Sequence, residues 1–167
     1  MNPEEKKEDV FQEVESQLAE KNIKVKSKDD SRPWGGFLVI EEDEAQKFAD
    51  EYFSGIDTNE LKISGKLSPK ILIVAPHKRL SWQYHHRRAE IWQVIKGEVG
   101  VVRSLTNVEG EVVTHKPGDV IKLKQGERHR LVGLDGWGIL SEIWQHTDSE
   151  NPSNEDDIVR VQDDFGR

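Results

Sequence analysis

The chain has 167 residues, no cysteine and a formal net charge of −8. That length fits one domain with some decoration, and no apolar run is long enough to span a bilayer. Without cysteine there are no disulfides or thiolate sites, so any metal must be held by nitrogen and oxygen. Residues 1–30 hold six Lys/Arg against nine Asp/Glu, and residues 146–167 hold two against seven, leaving sixteen of each in between. The acidity belongs to the two ends, which argues against nucleic-acid binding. The first residues, Met1 to Lys6, lack the apolar segment of a signal peptide, and the expected setting is the cytoplasm.

In chain order, residues 4–20 read as a helix with Val10, Phe11, Val14 and Leu18 on one stripe. The polar stretch Lys21–Ser31 reads as a linker. The expected division is therefore a helix and linker over 1–30 and one domain over 31–167. Arg32-Pro33-Trp34-Gly35-Gly36 reads as a rigid turn, and Phe37–Ile40 as a short strand. A second helix is expected over 43–54, with Gly55 as its stop. The pattern then changes to short strands near 61–63, 70–75, 80–85, 91–95, 99–103, 111–115, 120–123, 129–134 and 139–145. Gly97, Gly110, Gly118, Gly126 and Gly136 mark turns between them. Regular short strands with glycine turns indicate an all-β fold of the jelly-roll kind. Asp148–Asp157 reads as loop, and Ile158–Val161 as a last strand.

The chemistry concentrates at Gln83-Tyr84-His85-His86-Arg87-Arg88-Ala89-Glu90. In a strand, Gln83 and His85 project to one face and His86 to the other. Glu90 returns across a short connection, and His129 is the candidate for a fourth donor. Lys78, Arg79, Arg87 and Arg88 sit beside this stretch, and Lys122, Lys124, Arg128 and Arg130 beside His129. They suit a positive mouth for an anionic small molecule. His77, His115 and His146 read as surface histidines. The five tryptophans read as core, with Trp34 able to wall a sugar pocket.

The spacing resembles a cupin. Gln83-x-His85, four residues, Glu90, six residues and Gly97 match the first cupin motif, with glutamine for its first histidine. Gly118, five residues, Lys124-Gln125-Gly126, two residues and His129 match the second, with Lys124 in place of a proline. Within the cupins, Arg32-Pro33-Trp34-Gly35, Leu80 to His86, Arg88-Ala89-Glu90-x-Trp92, Asp157 to Arg160 and Asp163 to Arg167 resemble the cupin of type II mannose-6-phosphate isomerase. The likeness covers about 31–42 and 71–167. The chain departs from that pattern at Arg87 and Ile91, where the family often has histidine, and at Phe165, where it has tyrosine. The helix at 43–54 reads as an insertion and the N-terminal helix as an addition to the cupin barrel.

The resemblance implies a metal held by Gln83, His85, Glu90 and His129. Two imidazoles, a carboxylate and an amide oxygen suit zinc first, with iron, manganese, nickel or cobalt as alternatives. It implies isomerisation of a phosphosugar, mannose 6-phosphate to fructose 6-phosphate. Arg160, Lys122 and Arg167 are the candidate catalytic residues, and Arg32, Trp34, Arg88, Lys124 and Arg130 the candidate substrate contacts. A non-catalytic metal- and sugar-binding cupin is the alternative. A non-haem iron dioxygenase built on His85, Glu90 and His129 comes third. A homodimer is expected, since cupins pair through uncovered sheet edges.

Overall fold

The computed structural model describes residues 4–54, 56 and 65–166. The strand expected near 61–63, the stop at Gly55 and Arg167 lie outside the described residues. Helix α1 spans Lys7–Glu20 and is followed by strands β1 (Val25–Asp29) and β2 (Gly35–Ile40). A single turn of 3-10 helix at Glu42–Glu44 leads into α2 (Ala45–Tyr52). Nine further strands follow: β3 (Lys70–Val74), β4 (Trp82–Tyr84), β5 (Arg88–Lys96), β6 (Val99–Ser104), β7 (Val113–His115), β8 (Val120–Leu123), β9 (Arg128–Gly133), β10 (Gly138–His146) and β11 (Val159–Gln162).

The strands form two antiparallel sheets. One runs β1-β2-β3-β10-β5-β8 and the other β11-β4-β9-β6-β7. Between them lies an apolar core of Leu72, Val74, Trp92, Val94, Val101, Leu131 and Leu140, among others. This is the jelly roll that the turn spacing implied. The six-stranded sheet is also covered outside. There Val10, Phe11, Val14 and Leu18 of α1 and Phe48, Ala49 and Tyr52 of α2 pack on Leu38, Ile71, Ile73, Ile91 and Ile143. A sheet covered on both faces needs apolar residues at every position. Hence β3 reads Lys-Ile-Leu-Ile-Val and is buried throughout.

Lys21–Ser31 is not a linker. Val25–Asp29 forms β1, an edge strand paired with β2 from Val25↔Ile40 to Asp29↔Phe37. Four of its five residues are exposed, so it carries no hydrophobic alternation to announce it. At the start of β2, Gly35 and Gly36 take φ of 140° and 157°. A Cβ at Gly36 would lie 2.1 Å from the Asp29 carbonyl oxygen and 2.7 Å from Phe11 Cζ. Only glycine lets β1, β2 and α1 approach so closely.

Candidate metal centre and its cavity

The site sits between the sheets at one end of the jelly roll. Gln83 on β4 pairs with His129 on β9 and with Arg160 on β11. Directly opposed residues share a sheet face, so all three are presented side by side. His85 follows just beyond β4. From the opposite sheet, β5 presents Arg88, Glu90 and Trp92 at alternate positions, all buried.

His85, Glu90 and His129 are each buried, with ligand atoms within 4.8 Å of one another. His85 Nε2 lies 3.3 Å from Glu90 Oε2, and His129 Nε2 lies 3.4 Å from Glu90 Oε1. Both imidazoles are fixed from behind. His85 Nδ1 donates to the Asp157 carbonyl at 2.7 Å, and His129 Nδ1 donates to the Glu127 carbonyl at 3.1 Å. A carbonyl can only accept, so each Nδ1 carries a hydrogen and each Nε2 is turned to the centre. Burial pushes His85 down to about 3, which keeps it neutral. Burial pushes the Glu90 carboxyl up, but the Arg88 guanidinium beside it opposes burial, and Glu90 is held well below the usual carboxylate range.

Glu90 divides its oxygens. Oε2 accepts from Arg88 Nε at 2.8 Å. Among the described residues Oε1 has no hydrogen-bond partner, and neither does His129 Nε2. Two buried polar atoms facing each other without a partner are costly. A cation between them would remove that cost, and the donor set of two imidazoles and one carboxylate fits a borderline divalent ion. Gln83 Oε1 accepts from Ser81 Oγ at 2.7 Å on the same face.

Glu90, but neither His85 nor His129, lines a cavity of about 380 Å³, within the range of small-molecule sites. Of the sequence candidates, Arg32, Trp34, Gln83, Arg88, Glu90 and Arg160 line it. Arg88 is held by Ser153 Oγ at 2.9 Å and the Asn154 carbonyl at 3.0 Å, with its guanidinium 3.6 Å over the Trp144 ring. Lys122 and Lys124 are exposed and stand outside the cavity wall. Arg130 points away from His129, as neighbours on a strand must. It is fully buried there, donating to the Leu80 carbonyl at 2.7 Å, to Glu109 at 3.0 Å and to Gln162.

His146 is not a surface histidine. It is fully buried, accepting from the Ser153 amide at Nδ1 (2.9 Å) and meeting Ser68 Oγ at Nε2 (3.0 Å). All five tryptophans are buried. Four charged residues of the cavity wall, Lys70, Glu142, Glu155 and Asp156, belong to no motif. The signal for Lys70 and Glu142 is a charge at an inward strand position flanked by inward apolar residues, Leu72 in one case and Leu140 and Trp144 in the other. Lys70 pairs with Glu155 and lies 4.6 Å over Phe37 and 4.7 Å over Trp144.

A family model describing the C-terminal region of mannose-6-phosphate isomerase matches residues 41–163. The chain belongs to this family. Two xanthan biosynthesis proteins named XanB, from strains B100 and ATCC 33913 of Xanthomonas campestris pv. campestris, are 31% and 32% identical to it over 136 residues. The match covers 81% of this chain but 23% of each relative, so the chain spans under a quarter of their length. Among solved structures, the capsular polysaccharide assembling protein CapF of Staphylococcus aureus aligns with a TM-score of 0.52 at 14% identity, over 84% of this chain and 34% of that one. A recombinant oxalate oxidase in complex with glycolate aligns at 0.51 and 23% identity, over 81% and 60%. These two likenesses concern the fold. The mannose-6-phosphate isomerase C-terminal family is thus represented here by a cupin jelly roll with a buried His–Glu–His group.

Proposed function

We propose that the protein is a metal-dependent aldose–ketose isomerase acting on a phosphosugar, with mannose 6-phosphate to fructose 6-phosphate as the leading reaction. The observation that carries the reading is the His85–Glu90–His129 group beside a cavity that Glu90 lines and whose wall also holds Arg32, Lys70, Arg88 and Arg160. Membership of the isomerase C-terminal family and the XanB likeness support it.

His85, Glu90 and His129 hold the ion, and Gln83 offers an amide oxygen beside them. The ion, zinc in this reading, supplies Lewis acidity at the sugar oxygens. The chain's own groups do the rest. Arg160, beside Gln83 in register, and Arg32, at the mouth, suit the phosphate because a guanidinium presents a planar fork of donors. Trp34 is buried, lines the cavity and has an indole N–H without a partner among the described residues. It is the natural donor to a sugar hydroxyl. Arg88 holds Glu90 and cannot act as a base at neutral pH.

The test is a coupled assay of mannose 6-phosphate and related phosphosugars with zinc, iron, manganese, nickel or cobalt supplied. The expected outcome is turnover that chelation abolishes and one metal restores. Phosphosugar-dependent thermal shifts with no turnover of any substrate would instead assign a non-catalytic sugar-binding cupin.

A further inference from the structure

An aldose–ketose isomerase needs a group that takes a proton from C2 and returns it to C1. Four carboxylates line the cavity: Glu90, Glu142, Glu155 and Asp156. Glu90 is committed to the metal centre and to Arg88. Glu155 and Asp156 are exposed, and Glu155 is paired with Lys70. Glu142 is different. It is buried on β10, directly opposite Trp92 of β5 and Lys70 of β3.

Both of its oxygens are fixed. Trp92 Nε1 donates to Oε2 at 2.8 Å and Trp144 Nε1 to Oε1 at 2.9 Å. Two rigid, buried indoles therefore hold the carboxyl plane in one orientation, and each oxygen keeps a second lone pair. The fold thus presents a carboxylate at a fixed place in the cavity wall, next to the metal centre but outside its ligand set. Among the described residues no salt bridge or helix cap involves it. An apolar residue at this inward position would remove the cost of burying a charge.

We propose that Glu142 is the acid–base residue that carries the proton between C1 and C2. The assignment rests on the isomerase reading above. In the forward direction, the Glu142 carboxylate takes the proton from C2. The C2–H electron pair becomes the C1–C2 double bond, and the carbonyl pair moves onto O1. O1 then takes the O2 hydroxyl proton, the O2 pair forms the new carbonyl at C2, and C1 takes the proton back from Glu142. The carboxylate is regenerated and no oxidant or reductant is needed.

Burial, and then the charge of Glu90, push Glu142 up to about 7, while Lys70 and Arg88 act in the opposite direction. A base poised near working pH both accepts and returns a proton readily. The groups facing it are Lys70 from β3, Arg88, Glu90 and Trp92 from β5, and Trp144 on its own strand.

The test compares wild type, Glu142→Gln and Glu142→Asp, each loaded with metal and checked for metal stoichiometry and phosphosugar-dependent thermal shift. Glu142→Gln is expected to keep its metal and its thermal shift while kcat falls about 10²- to 10⁴-fold. Exchange of the C2 hydrogen with deuterium from solvent is expected to fall with it. Glu142→Asp, which retains a carboxylate on a shorter arm, should fall between the two and serves as the test if the amide variant does not fold. A metal-loaded variant of either kind that keeps wild-type kcat, or that loses kcat with undiminished C2 exchange, overturns the assignment. Absence of both turnover and exchange in wild type would instead sink the isomerase reading itself.

Discussion

Glu90 is asked to satisfy two cations at once, Arg88 through Oε2 and an incoming ion through Oε1. Glu90→Ala should therefore do two things. Metal measured by elemental analysis should fall far below one per chain. Stability in chelator should also drop by about 3–5 kcal/mol in a denaturant melt, because Arg88, itself buried, is left without its counter-charge. A variant that retains stoichiometric metal would remove Glu90 from the centre. At this scale, the imidazoles and Glu90 were legible because motif spacing fixes where strands return. Glu142 and Lys70 were not, since a single charged residue in an apolar strand carries no spacing of its own. Arg130 shows the opposite error. Adjacency to His129 in sequence put it near the centre, but strand alternation sends it to the other face.

Between α1 and the six-stranded sheet, one close approach falls at Gly36. Phe11 meets the sheet where Gly36 has no side chain, so the helix rides directly on β2. Truncating it to Phe11→Ala empties a fully packed position and should cost about 3–5 kcal/mol in a urea melt. The His85–Glu90–His129 group lies between the sheets, on the other side of this packing, so metal content should be unchanged. A loss of metal in proportion to stability would contradict that separation. Elements with a buried face, such as α1 and β3, were readable from hydrophobic pattern alone. β1 was invisible because its stability comes from backbone pairing with β2 and not from burial, so its sequence reads as linker.

Two buried histidines are expected to make the whole molecule sensitive to acid. Burial, then Lys66 and Arg88, lower His146 to about 4, and burial lowers His85 to about 3. A group whose folded pKa is depressed lends its full stability above its unfolded value, near 6.5 for histidine, and loses it as pH falls toward the folded value. Thermal melts should therefore drop steadily from pH 6.5 to 4. His146→Asn should flatten the upper part of that slope, and an unchanged slope would show that His146 is not the titrating group.

The bond from His85 Nδ1 to the Asp157 carbonyl spans 72 residues of sequence. Asp157 is held in turn by Ser153 Oγ at 2.6 Å and by the amides of His86 and Arg87, both at 2.9 Å. The segment leading into β11 is therefore the back wall of the metal centre as well as the strand that carries Arg160. Local opening of this segment would remove the carbonyl that fixes His85 beside Glu90. Retention of an ion in the site is therefore expected to depend on the docking of β11 as well as on the strength of its ligands.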